Sequence, residues 1–307
     1  MVTTEVVGAA YESFRTELVD AGLLLPTAVP GLYGRSEAFE DIVEAVDALI
    51  SRVAPPTATK VRFPPVYPRA SFERTDYIVS FPNLTGTVHS FDGTDSEHRA
   101  LLAARSAGQQ WDQWLHPGET CLVSAACHPV YETLPRDLSQ AGVLFDVHGY
   151  CFRHEPSPDP LRMQAFRMRE FVRVGTAVQA TAHREEWIDT ARNVLCTLDL
   201  EPKVVGANDP FFGRAGRMLA VNQRDAGLKT ELVVDLYDGL NEGTALASCN
   251  YHEDHFGVGF GIRTPQGTDA HSSCVGFGLE RIALALIRSR GLNTSRWIDD
   301  VRRLVPA

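Results

Sequence analysis

The sequence predicts an α+β protein in which an antiparallel β-sheet is flanked by helices. In the second half of the chain, strand candidates outnumber helices and follow one another as hairpins or meanders, which is typical of antiparallel sheets. Three segments of the first half carry helical spacing of apolar residues instead. The 307 residues are 44% hydrophobic, enough to bury a sizeable core, and we expect one domain over residues 1–307.

Helices are predicted where apolar residues recur every three or four positions. This spacing is found over residues 4–24, 37–53, 97–115 and 183–199. The stretch LLLPTAVPGLYGRS between the first two helices is predicted to be a loop, because it carries two prolines and a Pro-Gly pair. A second loop, ANDPFFGRAG, is predicted over residues 207–216.

Strands are predicted at five places along the chain. They are TKVRFPPVYPR at 59–69, a short apolar strand in ETCLVSAACHPVYETLP that ends at Cys127 and His128, residues 143–153, LKTELVVDLY at 228–237, and residues 243–264. Because proline cannot donate to a ladder, the prolines of the first candidate favour an edge strand.

Residues Cys151–Gly175 form the most heavily charged segment, predicted to be a hairpin whose joining loop carries three prolines. Alternation along its second arm places Arg167, Arg169 and Arg173 on one face, with Glu170 on the other. Two interpretations follow from this pattern. The arginines are neutralised by cross-strand ion pairs, or they cradle a polyphosphate, since Arg binds phosphate oxygens bidentately.

Composition excludes several classes of protein. No stretch approaches the roughly 20 apolar residues that cross a bilayer, and the N-terminus lacks the basic start and apolar core of a secretory signal, so we expect a cytoplasmic protein without membrane contact. The net charge of −10 disfavours nucleic acid as the main partner. Six cysteines without a CxxC pair indicate buried thiols or scattered metal ligands, not a disulfide framework.

The pattern FRHE, a loop, and RMREF resembles motif 2 of the class II aminoacyl-tRNA synthetases. The resemblance implies an ATP site in which Arg153 binds the α-phosphate and Glu155 meets the adenine end. Arg162 and Met163, at the far side of the loop, would close over the nucleotide.

The segment GFGLERIALALIRSRG resembles motif 3 of the same family, which would place Arg281 on the terminal phosphate. A cation at the start of a helix is disfavoured by the helix dipole unless an anion lies between them, and a phosphate would reverse that cost. The alternative is that Arg281 pairs with Glu280 or with another neighbouring acid.

Two weaker likenesses concern the dimer and magnesium. The helix at 37–53, followed by a proline-bearing strand, resembles motif 1, the dimerisation element of the family, and implies a homodimer; an edge strand explains the prolines equally well. Glu231 in KTELVV is where the family would place a carboxylate for ATP or its Mg2+.

The segment SCNYHEDHFG is similar to the amino-acid pocket of the seryl branch, which would place Ser248 and Asn250 near the substrate. Atypical, methanogen-type members of that branch hold a zinc ion on Cys, Glu and Cys. The corresponding positions here are Cys127, Glu170 and Cys274. Three protein ligands leave one zinc position open for a substrate amine, so Glu170 would also contact the substrate. His128 and His271 are alternative candidate ligands. Without the resemblance, Cys127 would be interpreted as a buried apolar side chain.

The sequence most closely resembles the bacterial amino acid:[carrier protein] ligases, homologues of the seryl catalytic core without tRNA charging activity. The resemblance runs nearly the full length, through GLYGRS, FPNL and ANDPFFGRAGRMLA. It implies a single catalytic domain without a separate tRNA-binding domain. Such an enzyme would activate glycine or alanine with ATP and transfer it to the phosphopantetheine thiol of a carrier protein.

Two alternatives remain at this stage. A minimal seryl-type tRNA synthetase would share the adenylate chemistry, and a non-catalytic paralogue would sense an amino acid without needing phosphate ligands. A basic patch near the C-terminus is a candidate docking surface for an acidic carrier, although a solvated helix face explains it as well. Its members are Arg288, Arg290, Arg296, Arg302 and Arg303.

Overall fold

The computed structural model describes residues 4–209, 212 and 227–304. The α-helices are α1 Thr4–Asp20, α2 Glu37–Arg52, α3 Arg69–Arg74, α4 Tyr77–Ser80, α5 Asp95–Ser106, α6 His128–Glu132, α7 Ala177–Thr197, α8 His255–Phe260, α9 Leu279–Arg290 and α10 Ile298–Arg303. The strands are β1 Leu24–Pro26, β2 Tyr33–Arg35, β3 Thr59–Val61, β4 Val66–Pro68, β5 Thr87–Ser90, β6 His116–Leu122, β7 Val143–Phe152, β8 Ala165–Gly175, β9 Lys203–Ala207, β10 Lys229–Val234, β11 Thr244–Glu253 and β12 His271–Gly278.

A large sheet organises the chain and confirms the predicted α+β class. Within the described ranges it has seven strands in the order β3-β7-β8-β12-β11-β10-β9. All its neighbouring pairs are antiparallel except β3 with β7, and β3 lies at one edge. Smaller sheets are formed by β4-β6-β5 and by β1-β2.

The two faces of the large sheet bury different sets of side chains. Phe171, Val275 and Phe277 pack into the main core with apolar residues of α2, α7 and α9. Val172 and Cys274 point to the opposite face and pack into a second cluster with residues of α6 and α8. Side chains of successive strand residues alternate between the faces, so neighbouring residues of β8 serve the two clusters in turn.

Most predicted elements are confirmed, with shifted ends. The helices predicted over residues 4–24 and 37–53 correspond to α1 and α2, and the helix predicted over 183–199 corresponds to α7. Helix α7 begins earlier because Thr176 and Gln179 form a capping box at its N-terminus. Of the loop predicted over 207–216, residues 210, 211 and 213–216 lie outside the described residues.

Two predicted elements of the first half were wrong in type or length. The loop predicted before α2 contains the β1-β2 pair. The helix predicted over 97–115 ends at Ser106, because the chain turns at Gly108, whose φ of 68° is the left-handed conformation that glycine adopts without a Cβ penalty. The apolar Trp111 and Leu115 therefore lie beyond the helix, next to a 3-10 turn.

Two predicted strands extended too far. The strand predicted to end at Cys127 and His128 ends at Leu122, and α6 begins at His128 with proline in its first turn, a position that proline favours. The strand predicted over 243–264 ends at Glu253 and is followed by α8. Helix α8 packs closely on the chain before β12, since a Cβ on Gly257 would lie 2.0 Å from the Ala270 carbonyl oxygen.

Two of the three arginines on the basic face of the charged hairpin, Arg167 and Arg169, are neutralised by carboxylates. The ion-pair interpretation holds for these two, and the phosphate-cradle interpretation was wrong there. Arg173 donates to the Ala141 carbonyl instead. Arg167 bonds Glu40 and the buried Glu280. Arg169, buried to 1% exposure, bonds Asp146 through two nitrogens at 2.5 and 2.6 Å and Asp47 at 2.6 Å.

The first arm of the hairpin is shorter than predicted. Strand β7 ends at Phe152, which leaves Arg153 and Glu155 in the loop beyond it, where strand alternation does not apply. Among the helices that the structure describes, none combines the length and the apolar composition of a membrane-spanning segment.

The Arg169 network joins Asp47 of α2 and Asp146 of β7 to strand β8 and should contribute strongly to the stability of the protein. Asp146→Ala leaves a buried guanidinium short of its bidentate partner, so we expect the free energy of unfolding to fall by about 3–5 kcal/mol. Asp300→Ala breaks an exposed pair with Arg303 and should cost at most about 1 kcal/mol. Denaturant titration of both variants measures the difference, and equal losses would contradict the assignment.

Candidate active site and metal centre

A cavity of about 570 Å³ lies over the sheet face that carries Glu170. Strands β8, β10, β11 and β12 contribute to its lining, together with residues from α4, α6 and α8. A volume of this size is typical of a small-molecule site. Cavity-lining residues include most of the sequence-predicted site: Cys127, Arg153, Met163, Glu170, Glu231, Ser248, Asn250, Cys274 and Arg281.

Strand register brings the polar residues of the cavity floor into rows. Ser248 pairs with Glu231 on one side and with Gly276 on the other, and Gly276 pairs with Glu170. Paired residues of antiparallel strands point to the same face, so the three polar side chains cross the floor in one line. Glycine at 276 keeps the middle of this row open, because a Cβ there would lie 2.7 Å from the Met168 methyl carbon.

A second row, two residues away, carries other site residues. Asn250 pairs with Lys229 on β10 and with Cys274 on β12. Because residues two apart on a strand share a face, this row lies on the same floor as the first. The register therefore brings together five residues that the resemblance nominated for the site, Cys274, Glu170, Ser248, Asn250 and Glu231.

Cys127, Glu170 and Cys274 form a compact group of potential metal ligands. All three side chains are buried, and one ligand atom from each lies within 4.8 Å of the others. Glu170 is oriented by the backbone N–H groups of Ala126 and Cys127, which donate to its two carboxylate oxygens at 3.0 and 3.1 Å. Two thiolates and a carboxylate are a donor set that suits zinc, so these residues fit the metal that the resemblance implied.

The protonation of the group reflects its burial. Burial and the neighbouring Cys274 raise the pKa of Glu170 to about 7. The Cys127 thiol donates a hydrogen bond to Cys274, which raises the pKa of Cys127 and, despite burial, lowers that of Cys274. A cation bound among these groups would favour their charged forms, since metal ligands bind deprotonated.

Neither rival ligand belongs to this group among the described residues. His128 is buried against the rings of Tyr77 and Phe256, and burial lowers its pKa to about 3. His271 bonds the hydroxyl of Tyr251 through Nδ1 at 2.6 Å and stacks on its ring.

Arg153 and Arg281 form a guanidinium pair on the cavity wall without carboxylate partners. Arg153 Nε donates to the Ser124 carbonyl at 3.1 Å and Arg281 Nε to the Leu161 carbonyl at 2.8 Å. No carboxylate of the described ranges forms an ion pair with either side chain, and Glu280 is bonded to Arg167 instead. The predicted alternative of an Arg281–Glu280 pair is therefore wrong.

The electrostatics of Arg281 favour an anion. Burial, together with the nearby cations Arg162 and Arg153, lowers the pKa of Arg281 to about 10. An anion bound between these guanidinium groups would reverse this repulsion and form charge-assisted hydrogen bonds. The arrangement of charge therefore suits a phosphate chain, and the phosphate contacts that the motif resemblance gave to Arg153 and Arg281 stay predictions.

Of the other residues predicted to bind ATP in the motif 2 region, one lines the cavity and two lie outside it. Met163 is buried and lines the cavity. Arg162 and Glu155 form an ion pair at 2.5 Å and are not part of the lining. The adenine contact predicted for Glu155 stays a prediction.

Sequence reasoning missed Lys229 and Asp209. Lys229 lines the cavity, and its ammonium lies 2.5 Å from Asp209 and 3.1 Å from Glu231. Alternation places Lys229 on the same face as Glu231, which was the available signal, but a Lys and a Glu two apart on a strand are also typical of an exposed pair. Glu231 shares its charge with Lys229, so a magnesium ion there would compete with the lysine.

The C-terminal basic patch does not form an open cationic surface. Four of its five members bond carboxylates: Arg288, Arg290, Arg302 and Arg303. The solvated-face interpretation therefore accounts for most of it.

Comparison of the structure with known proteins identifies the fold, and comparison of the sequence identifies the family. No protein-family model matches the chain. The structure resembles Methanopyrus kandleri SerRS, solved in complex with A. aeolicus tRNASec, with a TM-score of 0.81 over 95% of this chain and 60% of that one, at 22% identity. The fold is that of the class II aminoacyl-tRNA synthetase catalytic core.

Sequence comparison is more specific. The chain is 44% identical over 278 residues to amino acid--[acyl-carrier-protein] ligase 2 of Bradyrhizobium diazoefficiens, which covers 90% of this chain and 83% of the relative. It is 28% identical over 215 residues to the type-2 serine--tRNA ligase of Methanopyrus kandleri, of which it spans 40%. The chain belongs to the amino acid--[acyl-carrier-protein] ligase family, as the sequence predicted.

Replacement of the thiols tests the metal centre. Cys127→Ser and Cys274→Ser should each lower the zinc content of purified protein from about one ion per chain to well below that, because a hydroxyl is a poor substitute for a thiolate ligand. Cys196→Ser is the matched control, since Cys196 is exposed and outside the group. Elemental analysis gives the content; unchanged zinc in the first two variants would exclude these ligands.

Proposed function

We propose that this protein activates glycine or alanine with ATP and transfers it to the phosphopantetheine thiol of a carrier protein. The observation that carries the proposal is that two groups of side chains line one cavity. One is the pair of guanidinium groups of Arg153 and Arg281, which form no ion pair with any carboxylate that the structure describes, and the other is the buried Cys-Glu-Cys group. The first suits a phosphate chain and the second suits a metal that holds an amine. Its relative from Bradyrhizobium is named as a ligase of an amino acid and an acyl carrier protein.

In the first step, an oxygen of the amino acid carboxylate attacks the α-phosphorus of ATP, and the bond to the β-phosphate oxygen breaks to release pyrophosphate. Arg153 would bind the α-phosphate and Arg281 the terminal phosphate, which concentrates positive charge where the leaving group gains negative charge. Arg162, Met163 and Glu155 would hold the rest of the nucleotide. ATP enters as its Mg2+ complex, with Glu231 as the candidate carboxylate.

The amino acid would be oriented from its amine. Zinc, when bound by Cys127, Glu170 and Cys274, supplies an open coordination position that an uncharged amine can take. Ser248 and Asn250 lie on the same floor: Gly276 separates Ser248 from Glu170 in the first row, and Asn250 pairs directly with Cys274 in the second. Fixing one end of a small substrate orients its carboxylate toward the arginines, which is catalysis by positioning.

In the second step, the carrier thiolate attacks the carbonyl carbon of the adenylate. A carbon–sulfur bond forms, the bond to the phosphate oxygen breaks, and AMP leaves. The arginines would stabilise the departing phosphate, so the described residues need not supply a covalent nucleophile. We further propose that the chain acts as a single catalytic domain within a cytoplasmic homodimer, with a carrier protein as acceptor in place of tRNA.

Two activity measurements test this function. Pyrophosphate exchange into ATP with glycine, alanine and serine identifies the activated amino acid, and transfer of labelled amino acid to holo-carrier protein or to tRNA identifies the acceptor. Exchange with glycine or alanine and transfer to the carrier are expected. Exchange with serine and charging of tRNA would favour a seryl-type synthetase, and no exchange with any small amino acid would favour a sensor.

Arg281 offers a sharper test of the phosphate site. Arg281→Ala should lower kcat/KM for pyrophosphate exchange by about 10²–10³, the loss typical for one preorganised electrostatic group. Arg288→Ala is the matched control on the same helix, because Arg288 lies over the ring of Phe14, away from the cavity. Similar losses in both variants would show that α9 matters only structurally.

A further inference from the structure

His252 contacts one member of the Cys-Glu-Cys group without belonging to it. Its Nε2 lies 3.5 Å from the Cys274 sulfur, within hydrogen-bonding distance for sulfur. Asn250 Nδ2 approaches the same sulfur at 3.5 Å. Among the described residues, the group whose ligand atoms lie within 4.8 Å of one another does not include His252. His252 is therefore a neighbour of the candidate ligands and is not one of them.

A chain of hydrogen bonds orients the imidazole. His252 Nδ1 lies 3.0 Å from the hydroxyl of the fully buried Ser272, and the Tyr131 hydroxyl donates to that serine at 3.4 Å. With its oxygen accepting from Tyr131, Ser272 can donate its own proton to Nδ1. The tautomer that results carries its proton on Nε2, so that nitrogen donates to Cys274.

Packing holds the same side chains in place. Phe256 stacks on Tyr131 with ring centroids 4.0 Å apart, and its ring meets that of His252 in an edge contact at 5.0 Å.

The backbone around His252 departs from regular strand geometry. The register with β12 shifts between Tyr251 and Glu253, and Glu253 has a φ of 51°, a left-handed conformation that costs energy for a residue other than glycine. Bulges of this kind occur next to active sites.

We propose that His252, oriented by Ser272 and Tyr131, is a positioning residue that donates a hydrogen bond to the Cys274 thiolate and thereby strengthens metal binding. The inference rests on the metal site of the proposed function and names a residue that acts through a ligand. A hydrogen bond to a thiolate stabilises its charge and fixes the direction of its lone pairs. Such partners of metal ligands typically contribute 10–100-fold to metal affinity.

The test compares His252→Phe with a matched variant on the other side of the sheet. His252→Phe keeps an aromatic ring against Phe256 but removes the donor. His183→Phe is the control, because His183 makes the same kind of bond, from Nδ1 to Ser273 at 2.9 Å, and packs near Trp187 in the main core. The zinc dissociation constant is measured by chelator competition, and the cobalt-substituted proteins are compared by their thiolate-to-cobalt absorption.

We expect His252→Phe to weaken zinc binding by about 10–100-fold and to shift the thiolate absorption to lower energy, because an unbonded thiolate gives up an electron more easily. Ser272→Ala, which releases the orienting bond, should change both quantities in the same direction by less. His252→Gln, which keeps an N–H donor, should restore part of the affinity. His183→Phe should leave both quantities as in the unaltered protein.

The outcomes separate this inference from the proposed function. If the unaltered protein binds no zinc, the metal site itself is wrong. If it binds zinc and His252→Phe binds equally well with an unshifted absorption, the metal site stands and the role of His252 is wrong. Should His252→Phe fail to fold, Ser272→Ala decides, and an unshifted cobalt spectrum in that variant overturns the inference.

Discussion

The antiparallel register of β8, β12, β11 and β10 determines which side chains meet above the sheet. It aligns Glu170, Gly276, Ser248 and Glu231 in one row and places Cys274 in the next. A slip of one residue in any of these pairings would turn the polar set of that strand into the helical core on the other face. Burial of apolar side chains on both faces fixes the register, and the site depends on it.

Charge is arranged differently on the two faces of β8. Arg167 and Arg169 point into the helical layer, where Glu40, Asp47 and Asp146 neutralise them. Such buried pairs are costly to desolvate but tie α2 to the sheet once formed. Above the opposite face, Arg153 and Arg281 form no ion pair with a carboxylate of the described residues, and this imbalance is what suits the cavity to an anionic substrate.

The fold could be predicted largely from the sequence, and Arg281, proposed for the phosphate site, could be nominated from it, for identifiable physical reasons. Arg281 follows alternating glycines and lies at the start of an apolar helix. This pattern is local, so it can be recognised from the sequence alone. Cys127, by contrast, reaches Glu170 and Cys274 because the chain turns between β6 and α6, and spacing carries no sign of that turn. The family resemblance was needed to name these three candidate ligands together.

Residues that act through neighbours were the hardest to foresee. Lys229 and His252 have ordinary surroundings in sequence, and their contacts depend on partners brought close by strand pairing or by a bulge. The same limit explains the misassigned segment after Glu253, where an alternating apolar pattern fits a strand but close packing of Gly257 selects a helix.

In the proposed function, the Cys-Glu-Cys group with its metal recognises the free amine of an amino acid whose activated carboxyl lies at Arg153 and Arg281. Calorimetric binding of a non-hydrolysable glycyl-adenylate analogue, with a free or an acetylated amine, to zinc-loaded and zinc-stripped protein tests this directly. Acetylation is predicted to weaken binding to the loaded protein by at least about 1.4 kcal/mol, a factor of ten in Kd, and to matter little once zinc is removed. An equal effect of acetylation in both forms would contradict the account.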